Sequence, residues 1–460
     1  MSIKITADYR SAFKQADIRG IYPSEINEEV AYLIARSFVD EYKHQTVLVA
    51  RDMRLSSPVL HEAFCKGITD AGADVIDLGL VTTPMLYFAS GSMNLPGVVI
   101  TASHSPKQFN GFKLVLAGAI PLTENKGLKA IRKRIEKGIF SESQKSGKIK
   151  TKDIRKAFQS FVFKGVKAKG LEKLKVVVDV GNGMSSVLKP ILEEKLPIKF
   201  DWLFTELDGR FPNRGSDPTL KKNQKALSKT LKEGNYDFGI AFDGDADRIA
   251  FQDEKGNFVN SSAVGALIAE YLLKKNPKAK IGYTVFTGRD YEEKIKNGGG
   301  VKVPTRVGHT FIKETMRQKD ILFACEHSGH YYYKEYFYTD SAVLTLRYVL
   351  EIFNVAKARG ITFSEMMKPY LLYKQTENAL IEVRDTKKSL EATQQFLLTK
   401  NPLSIKIFDG VTIDLGDTWG VVKVSVTEQA LNIMFESEVK AKAQLIQDEL
   451  VVFVRSIAND

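Results

Sequence analysis

Residues 242–248 read FDGDADR and place carboxylates at Asp243, Asp245 and Asp247. In an extended loop, residues two apart point the same way, so three like charges converge. They repel unless a cation sits among them. Oxygen-only ligands suit a hard ion such as Mg²⁺ or Ca²⁺ and disfavour zinc. An EF-hand is the competing arrangement, because Glu254 stands at loop position 12 counted from Asp243. It fails at position 6, where Arg248 replaces the glycine of the sharp turn, and in its flanks, FGIAF and IAFQ, which are strand-like rather than helical. A solvated acidic turn without an ion is the remaining alternative. Beside a metal loop, the Arg248 guanidinium is placed to steer a phosphate or a sugar hydroxyl.

A second reactive loop, TASHSP (101–106), follows the apolar run LPGVVI. Ser103 has no hydrolase triad around it: there is no GxSxG elbow, and His104 is its neighbour in sequence rather than an opposed base. A serine combined with a Mg²⁺ loop points to phosphoryl transfer, in which a protein mainly positions groups and neutralises charge.

These loops need a scaffold that presents them. VVIT opens onto ASHSP, FGIAF onto DGDADR and ILFAC onto EHSGH, so each loop follows a buried strand; VVKVS (421–425) forms a fourth such edge. Ligands of α/β sheets bind beyond the carboxyl ends of strands. Strand-like runs (TVLVA, VVVDV, FGIAF, ILFAC) alternate with amphipathic segments such as 261–275 and 341–360 through about residue 370. Polar connectors near 141–153, 253–260 and 369–378 divide the chain. The expectation is three similar α/β domains with mixed sheets (1–152, 153–256, 257–370) and a smaller C-terminal α+β domain (371–460), arranged around a central cleft.

Length supports several domains, since 460 residues exceed what one core organises. Apolar content of 43% and charged content of 27% are those of a soluble globular protein. No apolar run approaches the ~18 residues of a membrane span. The N-terminal stretch lacks the pattern of a secretory signal, so the cytoplasm is expected. Cys65 and Cys325 are too far apart in sequence to suggest a disulfide framework or a zinc site. The net charge of +12 comes from dispersed lysines at 129–137, 164–175 and 221–232. Helical spacing puts these on solvent faces, and no nucleic-acid motif accompanies them.

Taken together, the loops resemble those of the α-D-phosphohexomutases, and within them the phosphomannomutase/phosphoglucomutase branch. The match runs from FKQADIRG (13–20) through VARDMRLSSP, TASHSP, NGFK (110–113), VVVDVGNGM, DGDADR, RVGH (306–309) and CEHSGHYYY to KVSVTE (423–428). The resemblance implies that Ser103 carries the phosphoryl group and completes the Mg²⁺ shell of Asp243, Asp245 and Asp247. It implies proton transfer by Lys113 and an acid/base or substrate-binding role for His309. Arg19, His104 and Arg248 become phosphate or sugar contacts, Glu326 and Ser328 the sugar-hydroxyl loop, and Lys423, Ser425 and Thr427 a clamp for the phosphate that is not transferred. A hexose 1-phosphate and its 6-phosphate then interconvert through a 1,6-bisphosphate, with glucose or mannose 1,6-bisphosphate as activator and the C-terminal domain as the moving part. The protein is expected to be a monomer or dimer that binds a phosphosugar, with no nucleic-acid or membrane partner. The EHSGH loop is closer to the mannose/glucose branch than to phosphoglucosamine mutases; that activity and a Mg²⁺-dependent sugar-phosphate phosphatase are the alternatives. Five positions depart from the family pattern: Ala16 replaces a tyrosine, Ser105 an asparagine, Cys325 a glycine, Lys423 an arginine and Val426 an asparagine.

Overall fold

A computed structural model describes residues 6–425 and 428–458 of the chain. The chain forms two compact units. One comprises residues 1–259, 316–318 and 328–366; the other comprises 260–315, 319–327 and 367–460.

The first unit holds two mixed sheets built on one plan. In the first sheet, parallel strands Thr46–Arg51, Asp74–Leu80 and Gly97–Ile100 form the centre, and Phe109–Leu116 returns antiparallel beside Gly97–Ile100. Ile18–Ile21 closes that edge antiparallel, while Ile149–Thr151 adds in parallel at the other. In the second sheet, Phe238–Phe242 lies parallel to Lys175–Asp179, and Ile249–Asp253 returns antiparallel. Both Gly97–Ile100 and Phe238–Phe242 are buried throughout. That explains why they read as unbroken apolar runs rather than alternating ones. In each sheet a buried strand runs out, a short loop reverses direction, and the next strand pairs back. The three-carboxylate loop is therefore a hairpin connection, and Glu254 lies beyond it, accepting from Ser364 N at 2.9 Å and Ser364 Oγ at 2.5 Å. This leaves no EF-hand.

The second unit contains parallel strands Lys280–Tyr283, Val301–Pro304 and Phe323–Cys325 with helices Ser261–Lys275 and Gly288–Asn297. Its C-terminal part is antiparallel throughout, in the order Ser404–Ile407, Val411–Asp414, Thr418–Val424, Ala430–Ser437. Leu397, Ile413, Leu431, Ile433, Phe435 and Leu450 pack between this sheet and helices Thr386–Leu398 and Lys440–Ser456. At roughly 1.5–3 kcal/mol for each such buried side chain, this small core supports its own domain.

The lysine-rich stretch 164–175 departs from expectation. It is no helix; it contains only a single 3₁₀ turn, Leu171–Lys173. Gly165 and Gly170 sit at φ 78° and 95°, a conformation that breaks a helix on either side. The stretches 129–137 and 221–232 do carry helices, Leu128–Lys137 and Lys225–Glu233. No helix among the described residues is long and apolar enough to cross a membrane.

Candidate active site

Ser103 lies three residues beyond strand Gly97–Ile100, at φ 49° and only 2% exposed. A left-handed serine is uncommon and must be held by its surroundings. Its amide donates to Thr101 Oγ1 at 3.0 Å, and its carbonyl accepts from Arg54 Nη2 at 2.9 Å. Arg54 is the frame of the loop: its guanidinium also reaches the carbonyls of Ser105, Pro106 and Phe109, and it pairs with Asp52 at 3.3 Å. Five donors in a rigid fork suit such multiple capture of carbonyls. Ser216 Oγ adds a bond to the carbonyl of His104 at 2.6 Å.

The three-carboxylate loop meets the serine loop directly. Ser103 Oγ donates to Asp243 Oδ2 at 2.9 Å. Close approach of the two backbones depends on Gly244, whose added Cβ would lie 2.4 Å from the Ser103 carbonyl oxygen. Asp243 Oδ1 accepts from the amides of Asp247 and Arg248, each at 3.1 Å, which curls the loop around that carboxylate. Asp245 Oδ2 accepts from Thr83 Oγ1 at 2.6 Å, at the start of helix Thr83–Met93. Lys113, in register with Val99 on the returning strand, donates to Asp245 Oδ2 at 2.7 Å and Asp247 Oδ2 at 2.6 Å.

These contacts set the charges. Burial and the two neighbouring carboxylates, Asp247 and then Asp245, push the Asp243 carboxyl well up. Burial alone would depress the Lys113 ammonium, but Asp245 and Asp247 outweigh it and hold Lys113 well above its usual range. Burial, then the guanidinium groups of Arg248 and Arg19, keep the His104 imidazole neutral.

The three aspartates each offer an oxygen within 4.8 Å of the others. Asp245 Oδ1 and Asp247 Oδ1 are buried and accept no hydrogen bond. Buried carboxylate oxygens without donors, in an all-oxygen set, fit a hard divalent cation.

Arg248 Nε donates to His330 Nε2 at 2.9 Å, and His330 Nδ1 lies 2.7 Å from Asp340 Oδ2. Nε2 thus serves as the acceptor for Arg248, and Nδ1 faces the Asp340 carboxylate. Asp247, His330 and Asp340 also cluster closely enough for a metal, and through the Arg248 Nε bond to His330 Nε2 the same trio positions Arg248. Arg19 donates to Ser105 Oγ at 3.1 Å and pairs with Asp17.

The first unit thus brings together Ser103, His104, Lys113, Asp243, Asp245, Asp247, Arg248 and Arg19, and it also contains Ser328. His309, Glu326, Lys423 and Ser425 belong to the second unit. There His309 opens helix His309–Lys319, and Glu326 Oε1 accepts from the Gly308 amide at 2.9 Å. Thr427 and Val426 lie outside the described residues. Sequence reasoning missed Arg54, Thr83, His330 and Asp340. RDMRLSSP and EHSGH contain two of the four, but nothing in their spacing reveals what they grip.

Comparison with known proteins agrees with this geometry. Three models describing phosphoglucomutase/phosphomannomutase α/β/α domains I, II and III match residues 10–142, 155–256 and 260–372. The chain belongs to the α-D-phosphohexomutase family. A phosphomannomutase/phosphoglucomutase of Pseudomonas syringae is 35% identical, covering 97% of this chain and 96% of its own. A phosphomannomutase of Escherichia coli is 31% identical over 93% and 95%. A phosphoglucomutase/phosphomannomutase family protein of Burkholderia thailandensis superposes with a TM-score of 0.88, at 30% identity and 98% coverage of both chains. As a phosphohexomutase the protein is an isomerase with three α/β/α domains and a fourth domain built on an antiparallel sheet.

Proposed function

We propose that the protein interconverts mannose 1-phosphate and mannose 6-phosphate, and also the glucose pair, as a cytoplasmic Mg²⁺-dependent mutase. The observation that carries the proposal is the 2.9 Å contact of Ser103 Oγ with Asp243, inside a buried three-carboxylate loop beside a charged lysine. The names of relatives aligned over almost the whole chain support the choice of sugars.

Ser103, phosphorylated by a hexose 1,6-bisphosphate activator, gives its phosphoryl group to the free hydroxyl of a hexose monophosphate. The P–Oγ bond breaks as the bond to the sugar oxygen forms; the hydroxyl loses a proton and Oγ gains one. The bisphosphate then returns its other phosphoryl group to Ser103. Lys113, held protonated, is assigned as the donor to Oγ, and His309 as the acceptor for the sugar hydroxyl. A Mg²⁺ held by Asp243, Asp245, Asp247 and the Ser103 phosphoryl group would neutralise charge on the transferred group. Arg19, His104 and Arg248 take phosphate or sugar oxygens. Glu326 and Ser328 take the ring hydroxyls, and Lys423, Ser425 and Thr427 hold the phosphate that is not transferred. Arg54 keeps the serine loop in shape and so excludes slack that would admit water.

Phosphorus NMR tests the proposal. Protein with Mg²⁺ and a trace of glucose 1,6-bisphosphate is offered mannose, glucose and glucosamine 1-phosphates separately. The expected result is conversion of the first two to 6-phosphates, lost in Ser103→Ala. Inorganic phosphate without isomerisation would establish a phosphatase instead, and preferential turnover of glucosamine 1-phosphate would reassign the sugar.

A further inference from the structure

The phosphate-clamp lysine is not alone. Lys423 Nζ donates to Asp409 Oδ1 at 2.6 Å, with side chains 10% and 4% exposed. The other oxygen, Oδ2, accepts from the backbone amide of Val307 at 2.7 Å, and Arg306 Nε lies 3.6 Å from Oδ1. The next amide, Gly308 N, binds Glu326, and the residue after it is His309. One carboxylate therefore joins the candidate clamp to the loop that carries the candidate acid/base histidine and touches the candidate sugar residue.

Its direction is set by the backbone. Phe408, Asp409 and Gly410 form the turn between Ser404–Ile407 and Val411–Asp414, the last two at φ 52° and 129°. An Asp-Gly pair suits such a turn. A Cβ on Gly410 would meet the Val422 carbonyl at 2.6 Å and Lys423 Cβ at 3.0 Å, so the turn is packed onto the clamp strand. A lysine is a flexible point charge with three donors; unlike arginine it has no planar fork to orient itself. Asp409 fixes one donor and leaves two to face a phosphate.

We propose that Asp409 is a positioning residue that aims the Lys423 ammonium at the substrate's non-transferred phosphate and couples the clamp to the 306–309 loop. This rests on the mutase reading of Lys423. Asp409→Asn keeps an oxygen for Val307 N but turns an amide toward the ammonium, so it separates the two roles.

The test uses isothermal titration of hexose 1-phosphate into the full chain with Ser103→Ala, which binds without turnover. Adding Asp409→Asn is expected to weaken binding about tenfold, within the range of a charge-assisted hydrogen bond. The melting temperature should stay within a few degrees of the parent, and the loss should vanish when Lys423 is already Ala. Unchanged affinity, or a loss that simply adds to that of Lys423→Ala, would reduce Asp409 to a turn residue. Tighter binding would make it a competitor of the phosphate and overturn the proposal. A Ser103→Ala parent that binds no hexose 1-phosphate would sink the mutase reading itself, and Asp409 with it. In the active enzyme, the same Asn substitution should raise KM more than it lowers kcat, a split that a merely structural role does not produce.

Discussion

The serine centre and the clamp carry opposite charge excesses. Around Ser103, Arg54 and Arg19 have aspartates of their own in Asp52 and Asp17, and the remaining carboxylates, Asp243, Asp245, Asp247 and Asp340, outnumber the cations Lys113 and Arg248. At the clamp, Lys423 and Arg306 share the single carboxylate of Asp409. The first region is short of positive charge and suits a cation; the second is short of negative charge and suits an anion. The same contrast separates two buried carboxyls. Asp243 is raised by burial among its own kind. Glu436, beside the Arg289 amide (2.5 Å) and Gln375 Nε2 (3.1 Å), is raised to about 7 mainly by burial, with one carboxylate, Asp290, adding to it.

The largest test of this contrast removes the group at its centre. Ser103→Ala should lower turnover at least ~10³-fold, the scale of losing a nucleophile, with little change in melting temperature. Glu436 comes next. Its carboxyl sits near 7 in the folded chain against 4.5 in its reference state, so its stabilising contribution is complete below pH 4.5 and is lost as pH rises through 7. At about 1.4 kcal/mol per unit the loss approaches ~3 kcal/mol. Melting curves of Glu436→Gln should lack that part of the pH slope; an identical slope in the wild type would refute the assignment. Mg²⁺ at about a hundredfold excess over its Kd should stabilise the wild type by about 2.7 kcal/mol. Asp243→Asn should lose most of that thermal shift, whereas Asp409→Asn should keep it, which separates the two regions by a readout independent of activity. The smallest effect belongs to Lys423→Arg. A planar fork binds phosphate in two contacts, so KM should fall about threefold with kcat nearly unchanged.

The loops of the serine centre were legible because their chemistry is local. Three aspartates two residues apart, or a serine at the end of an apolar strand, fix which atoms can converge before any fold is known. The alternating pattern of strands and helices was legible for the same reason, since each periodicity lies within one element. The stretch 164–175 was misread because lysine spacing mimics a solvated helix face, while two glycines in left-handed conformations decide the backbone. Arg54, Thr83, His330, Asp340 and Asp409 were not legible as parts of a site. Most act on a group far away in sequence, Arg54 on residues 49 to 55 positions later and Thr83 on a residue 162 positions away, and Asp340 acts through His330, ten positions before it.

The sequence by itself thus determined the reactive groups, the three-carboxylate set and the strand ends that carry them, because spacing along the chain is a covalent fact. Only the tertiary structure decided how those groups are charged and aimed. Lys113 holds its proton because two carboxylates from another sheet lie within 2.7 Å of it. Asp409 meets Val307 because a hairpin turn brings together residues 102 positions apart. Burial and through-space charge set both outcomes, and neither is written in the order of residues.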